Sequence, residues 1–82
     1  MATGDILKIS KFLNYTELPS NGATIVVGVG NNSGDKLGYI KWRVGWRRYV
    51  FLPMEETVFD AACLTDITEF INKLMADRKG DG

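Results

Sequence analysis

Catalysis near neutral pH most often draws on a histidine, and this 82-residue chain has none. Cys63, the single cysteine, therefore lacks an imidazole partner, and a place near the start of a helix only modestly favours its thiolate. It reads as a structural cysteine. Glu55, Glu56 and Asp60 lie close in sequence and fit a cation-binding trio or a solvated acidic loop; their place between a strand and a helix favours the loop. Carboxylates alone can hydrolyse a glycosidic bond, but only when a second acid is held across a cleft, and no pattern here supplies one. Without histidine, a Cys/His zinc set is excluded. Gly28-Val29-Gly30-Asn31-Asn32-Ser33-Gly34 has the glycines of a phosphate loop. Such a loop needs a helix after it, because the first N–H groups of that helix hold the phosphate. A strand pattern follows instead, so the segment is expected to be a hairpin loop. The reading is of a protein that is not an enzyme and carries no cofactor or metal.

Charge is the chemistry that remains. Ten basic and ten acidic residues cancel, yet they are unevenly placed. Lys36, Lys41, Arg43, Arg47 and Arg48 occur with no acid between them, and Glu55, Glu56, Asp60, Asp66 and Glu69 follow with no base between them. The blocks either face each other within the fold, meet head to tail between copies, or leave the basic block open to an anion.

The elements that position these residues can be read from periodicity. From Asp60 onward, Leu64, Ile67, Ile71, Leu74 and Met75 recur at helical spacing with Phe70 beside them, giving an amphipathic helix over 60–79. Asp60 suits the N-cap, Glu69 and Lys73 form a favourable i,i+4 pair, Arg78 and Lys79 suit the last turn, and Gly80 suits the C-cap. Residues 23–53 read as a β-meander with strands at Ala23–Val29, Leu37–Val44 and Arg47–Leu52. Pro53 ends the last of these, since it has no N–H for a ladder. The turn Pro19-Ser20-Asn21-Gly22 precedes the meander.

Gly45-Trp46 has the signature of a two-residue type II′ loop. That turn sets Arg43 opposite Arg48, Trp42 opposite Tyr49, Lys41 opposite Val50 and Ile40 opposite Phe51. One face then carries Ile40, Trp42, Val44, Tyr49 and Phe51 and packs under the helix. The other carries Tyr39, Lys41, Arg43, Arg48 and Val50 and faces solvent or a partner. Residues 1–22 are less defined. Ile6, Ile9 and Leu13 fit a helical stripe capped by Asp5, while Ile6-Lys8-Ser10 against Leu7-Ile9 fits a strand, and the balance favours the strand. The expected fold is thus one α+β domain over 1–82: a small antiparallel meander of three or four strands packed on one C-terminal helix.

Arginines directly opposite one another repel, at about 0.2–1 kcal/mol in an antiparallel pair. Glu55, Glu56 or Asp35 would neutralise them internally; a phosphate-bearing ligand would do so from outside, with Tyr39 or Trp46 stacking on a base. The candidate ligand-binding residues are Tyr39, Lys41, Arg43, Trp46 and Arg48. The expected partners are a nucleotide or nucleic acid, a host or virion protein docking on a strand edge or on Trp46, and a second copy of the chain. Self-association, as a dimer, follows from size. A domain this small buries only about 60% of its unfolded surface, and one cysteine allows no intrachain disulfide. No apolar run reaches the ~20 residues that span a bilayer, and Met1-Ala2-Thr3-Gly4-Asp5 lacks the pattern of a signal peptide. The expected compartment is the cytoplasm.

The run Ile40-Lys41-Trp42, Trp46-Arg47-Arg48-Tyr49-Val50-Phe51-Leu52-Pro53, Thr57-Val58-Phe59, Cys63-Leu64 and Ile67 resembles small uncharacterised proteins encoded by bacteriophages and prophages. The likeness covers about residues 37–74. The chain departs from the group at Arg43-Val44-Gly45, where many members carry a Tyr-Gly-Pro-like turn. The resemblance implies a phage accessory protein in the host cytoplasm, of the kind that blocks host defence by sequestering a nucleotide signal or gripping a host protein.

Overall fold

Alternating apolar and polar residues build strands wherever one sheet face is buried, and here they build five. The computed structural model describes residues 6–20 and 24–79. Strands β1 (Ile6–Ile9), β2 (Leu13–Leu18), β3 (Val26–Asn31), β4 (Lys36–Arg43) and β5 (Arg48–Pro53) lie side by side in chain order, every pair antiparallel. Helix α1 (Ala61–Lys79) follows. This is the expected α+β meander with one C-terminal helix, with five strands in place of three or four. Residues 6–9 are a strand, and the additional strand is β2. The Asp5 cap, the turn at Asn21-Gly22, the start of a strand at Ala23 and the Gly80 C-cap lie outside the described residues.

The core occupies one face of the sheet. Leu13 and Tyr15 of β2, Val27 and Val29 of β3, Ile40 of β4 and Tyr49 of β5 are buried beneath Ile67 and Phe70 of α1. Trp42, Phe51, Phe59, Cys63, Ile71, Leu74 and Met75 close its margin. The helical stripe therefore runs through Cys63, Ile67, Phe70 and Leu74. Leu64, expected on it, is half exposed because it lies at the edge of this arc. Gly38 is fixed by packing, since an added Cβ would meet the Phe51 ring at 2.8 Å and the Leu52 carbonyl oxygen at 2.5 Å.

Asp60 caps the helix as its position predicts, its Oδ1 accepting from the Cys63 N–H at 2.9 Å. That hydrogen bond holds the Asp60 carboxyl below its usual range. The loop between β4 and β5 corrects the sequence reading. It has four residues, Val44 to Arg47, and no type II′ glycine. Arg47 takes the left-handed conformation at φ 54°, and its N–H donates to the Arg43 carbonyl at 2.8 Å. Four-residue loops built on a type I turn commonly close a hairpin this way. Two-residue and four-residue loops centred on the same bond give the same register, so the pairs Arg43–Arg48, Trp42–Tyr49, Lys41–Val50 and Ile40–Phe51 stand as expected. Val44 leaves the covered face for the exposed tip.

Asp66 ties the helix to the N-terminal strands. Its Oδ2 accepts from the Ser10 hydroxyl at 2.9 Å and, through a short bond, from the Tyr15 hydroxyl; Lys8 Nζ lies 3.7 Å from Oδ1. Burial first, then the bond to Asp66, pushes the Tyr15 phenol far above its ordinary 10.0. Asp66→Ala, which leaves a buried hydroxyl without its acceptor, should cost about 1–3 kcal/mol of unfolding free energy, read as a lower urea midpoint at unchanged slope. A phenol whose pKa rises on folding contributes stability that is complete below its unfolded value and lost as pH climbs toward the folded one. Stability should therefore hold through neutral pH and fall above about pH 10, and Tyr15→Phe should flatten that alkaline fall.

Candidate functional site

Side chains alternate along β4, so with Ile40 buried and Trp42 packed toward the helix, Tyr39, Lys41 and Arg43 project from the opposite face. The register adds Arg48, Val50 and Leu52 from β5 on one side. On the other it adds Val26, Gly28 and Gly30 from β3, then Leu18, Thr16 and Asn14 from β2. No secondary-structure element among the described residues covers this face.

Its relief is set by small residues at the centre. Gly28 and Gly30 line a shallow depression together with Asn14, Thr16, Leu18, Asp35 and Lys36. A second depression, bounded by Leu18, Pro19, Val26, Tyr39 and Lys41, adjoins it through Leu18. Gly28 is the β3 residue opposite Tyr39, so no side chain on that strand crowds the tyrosine ring.

The cations are organised by the aromatic residues. Lys36 Nζ lies 5.1 Å from the Tyr39 ring centroid, and the Arg43 guanidinium lies 4.7 Å from that of Trp46. Arg48 Nε–H donates to the Trp46 carbonyl at 3.2 Å. Trp46 is thus held by two arginines at the hairpin tip, with its side chain still 59% exposed. The structure brings Tyr39, Lys41, Arg43 and Arg48 onto one sheet face and sets Trp46 at its end.

No carboxylate among the described residues forms an ion pair with this basic block. Among the described residues the ion pair is Lys8 with Asp66, on the covered face, and Lys36, Lys41, Arg43 and Arg48 join no carboxylate. Glu55 and Glu56 lie exposed in the turn after β5, and the Asp35 carboxylate takes a hydrogen bond from Asn31 at 3.1 Å. None of the strand residues on the open face is acidic.

The other motifs take structural roles. Asn31 Oδ1 accepts from the N–H groups of Ser33 and Asp35 at 3.0 and 2.9 Å and Gly34 has φ 96°, which makes Asn32 to Asp35 the β3–β4 hairpin loop, whereas Gly28 to Asn31, expected in the loop, belong to β3 because they pair with β2 and β4. Among the described residues no group of three acidic, cysteine or histidine side chains is placed to hold a metal, and no helix is long and apolar enough to cross a membrane. Sequence reasoning missed the contributions of β2 and of the glycine-lined depression. The apolar Leu13, Tyr15 and Leu18 of β2 were the available signal, diluted by Asn14, Thr16 and Glu17 between them.

Fold and face together define a small α+β protein whose sheet is covered by a helix on one side and open and basic on the other. Over 75 residues the chain is 37% identical to an uncharacterized 9.3 kDa protein of Acholeplasma phage L2, an alignment that takes in 89% of this chain and 96% of the phage protein. The chain belongs to the same family as that phage protein, in keeping with the phage kinship read from its sequence. No family model and no solved structure matches it.

Cys63 sits half buried at the start of α1 as a free thiol. Burial, followed by its contact with the Asp60 carboxylate, raises its pKa, the reverse of the lowering that activates a nucleophile. Iodoacetamide should alkylate Cys63 at neutral pH several-fold more slowly than a small-molecule thiol. Asp60→Asn, an equally good N-cap without the charge, should speed the reaction; a wild-type rate above that of the small thiol would contradict this account.

Proposed function

We propose that this is a non-enzymatic binding protein whose open sheet face takes a phosphate-bearing ligand, a nucleotide or a nucleic acid. The observation that carries the reading is the cross-strand pair Arg43–Arg48, flanked by Lys41 and Lys36 on a face with no acidic strand residue. Like charges in register lose free energy until a counter-charge arrives. Arginine supplies the planar donor fork that matches phosphate oxygens, and Tyr39 and Trp46 supply ring faces for a base. In a phage family, such a protein would suit sequestration of a nucleotide signal or nucleic acid that the host uses against infection.

A second reading has one observation in its favour. Trp46 and Val44 form an exposed apolar tip, 59% and 79% accessible, of the kind that anchors protein interfaces. In that case the partner is a host or virion protein.

Tryptophan fluorescence against nucleotides, cyclic oligonucleotides and short DNA or RNA separates the two readings, because Trp46 is part of the proposed site. Saturable quenching that weakens with salt is expected. Arg43→Ala and Arg48→Ala should each lower affinity about ten-fold, equivalent to about 1.4 kcal/mol, while circular dichroism stays that of wild type. A flat response to every phosphate compound, confirmed by calorimetry, would refute the proposal and favour the protein partner.

A further inference from the structure

We propose that the ligand of the open face is a single-stranded nucleic acid several nucleotides long, with its phosphates along the β4–β5 cations and its bases against Tyr39, Trp46 and the glycine-lined depression. This inference rests on the phosphate-binding reading above and specifies the ligand class.

The first argument is the spacing of charge. A mononucleotide gathers its phosphates at one point, so its site converges several donors on a small volume. Here the cations are strung out. A register shift near the start of β4 sets Lys36 opposite Gly30 on the open face, and its ammonium lies over the Tyr39 ring, four steps of the strand from Arg43, about 13 Å at the usual rise. Lys41 and Arg43 are successive residues on one face, and Arg48 stands across from Arg43. A row of single charges along a sheet of this length suits a polyanion lying along it.

The second argument is the shape beneath the row. An added Cβ at Gly28 would meet Leu18 Cδ1 at 3.3 Å and Lys36 Nζ at 3.4 Å; one at Gly30 would meet the Asp35 carbonyl oxygen at 3.0 Å. Leu18 and Lys36 therefore already pack over Gly28, and Asn14 and the Asp35 carbonyl over Gly30, leaving a shallow depression between these groups with Leu18 standing between it and its neighbour. The edge of a base can rest in such a depression without a β3 side chain in its way.

The third argument is the rings. Tyr39 has Gly28 opposite it on β3 and a lysine ammonium 5.1 Å from its centroid, and Trp46 has its own guanidinium. Two rings separated along the hairpin, each with a cation over one face, would stack bases of one strand on their other faces. Only unpaired bases can stack so, which favours a single strand over a duplex.

Charge on the rest of the molecule supports the orientation. Asp60, Asp66, Glu69 and Asp77 lie on or beside the helix that covers the other face, and with Lys73, Arg78 and Lys79 they leave it slightly acidic, in contrast to the open face. Net charge is zero, but the basic side is presented to one approach direction, which steers a polyanion to that face.

Fluorescence anisotropy with labelled oligothymidylates and oligouridylates of three, six and twelve nucleotides tests the inference, with a twelve-base-pair duplex and thymidine monophosphate as comparisons. Affinity should rise at least ten-fold from the three-mer to the twelve-mer, and the duplex should bind more weakly than the twelve-mer. The two series show whether DNA or RNA is preferred. Lys36→Ala should reduce the slope of log affinity against log salt by about 0.7, the loss of one phosphate contact. Tyr39→Leu should weaken the twelve-mer about ten-fold at unchanged slope, and Tyr39→Phe, which keeps the ring and the fold, should bind like wild type. Thymidine monophosphate binding as tightly as the twelve-mer, or a duplex binding more tightly, would overturn the inference while leaving the phosphate-binding reading in place. No binding by any phosphate compound would remove both.

Discussion

Tyr15 carries the contact on which the fold depends. It is fully buried at the centre of β2, its ring stacks on Phe70 with centroids 4.2 Å apart, and its hydroxyl bonds to Asp66. One side chain thus supplies an apolar body to the core and a polar anchor to the helix. Asp66 extends the anchor to Ser10 and Lys8, so the first two strands are fastened to an element more than fifty residues away in sequence. No disulfide performs this task, and the chain is too short to rely on apolar burial alone.

That arrangement dictates what is left uncovered. One helix of nineteen residues spans one face of a five-stranded sheet, and the chain supplies no second helix among the described residues. The sheet is therefore asymmetric by construction. Its covered face holds Val27, Val29, Ile40 and Tyr49, and its open face, by strict alternation, receives their sequence neighbours Gly28, Gly30, Tyr39, Lys41 and Arg48. The composition of the open face follows from the same register that builds the core, and a one-residue slip would exchange the two.

Periodicity made the helix, its Asp60 cap and the three later strands legible in the sequence. The register of the β4–β5 hairpin was legible too, for a partly fortuitous reason: the loop type was misread, but both loops are centred on Gly45-Trp46 and preserve the pairing. The strand β2 was obscured because Asn14, Thr16 and Glu17 are polar positions on a strand whose buried face shows only Leu13 and Tyr15. The site was legible only in its charged half. Lys41, Arg43 and Arg48 announce themselves as a block, whereas the glycine-lined depression depends on which strand lies beside β4 and on which face its glycines fall. Such cross-strand information exists only once β2, β3 and β4 are in register. Internal neutralisation, one of the alternatives the sequence left open, is not seen among the described residues, since the acidic block belongs to the β5–α1 connection and to the helix on the far side.

The Arg43–Arg48 pair is best understood against the small margin of stability available. A domain of this size holds only about 3–5 kcal/mol from its core, and like charges placed opposite each other cost about 0.2–1 kcal/mol of it. Threonine or glutamate at either position would relieve the repulsion within a strand at no loss of core contact, because both side chains are exposed. Trp46 partly orders the pair, through its ring for Arg43 and its carbonyl for Arg48, but contributes no negative charge. Among the described residues no carboxylate relieves the repulsion, and under the proposed function an anion bridging the two guanidinium groups would do so. On that proposal the counter-charge would gain both the new hydrogen bonds and the removal of a like-charge contact already present in the hairpin.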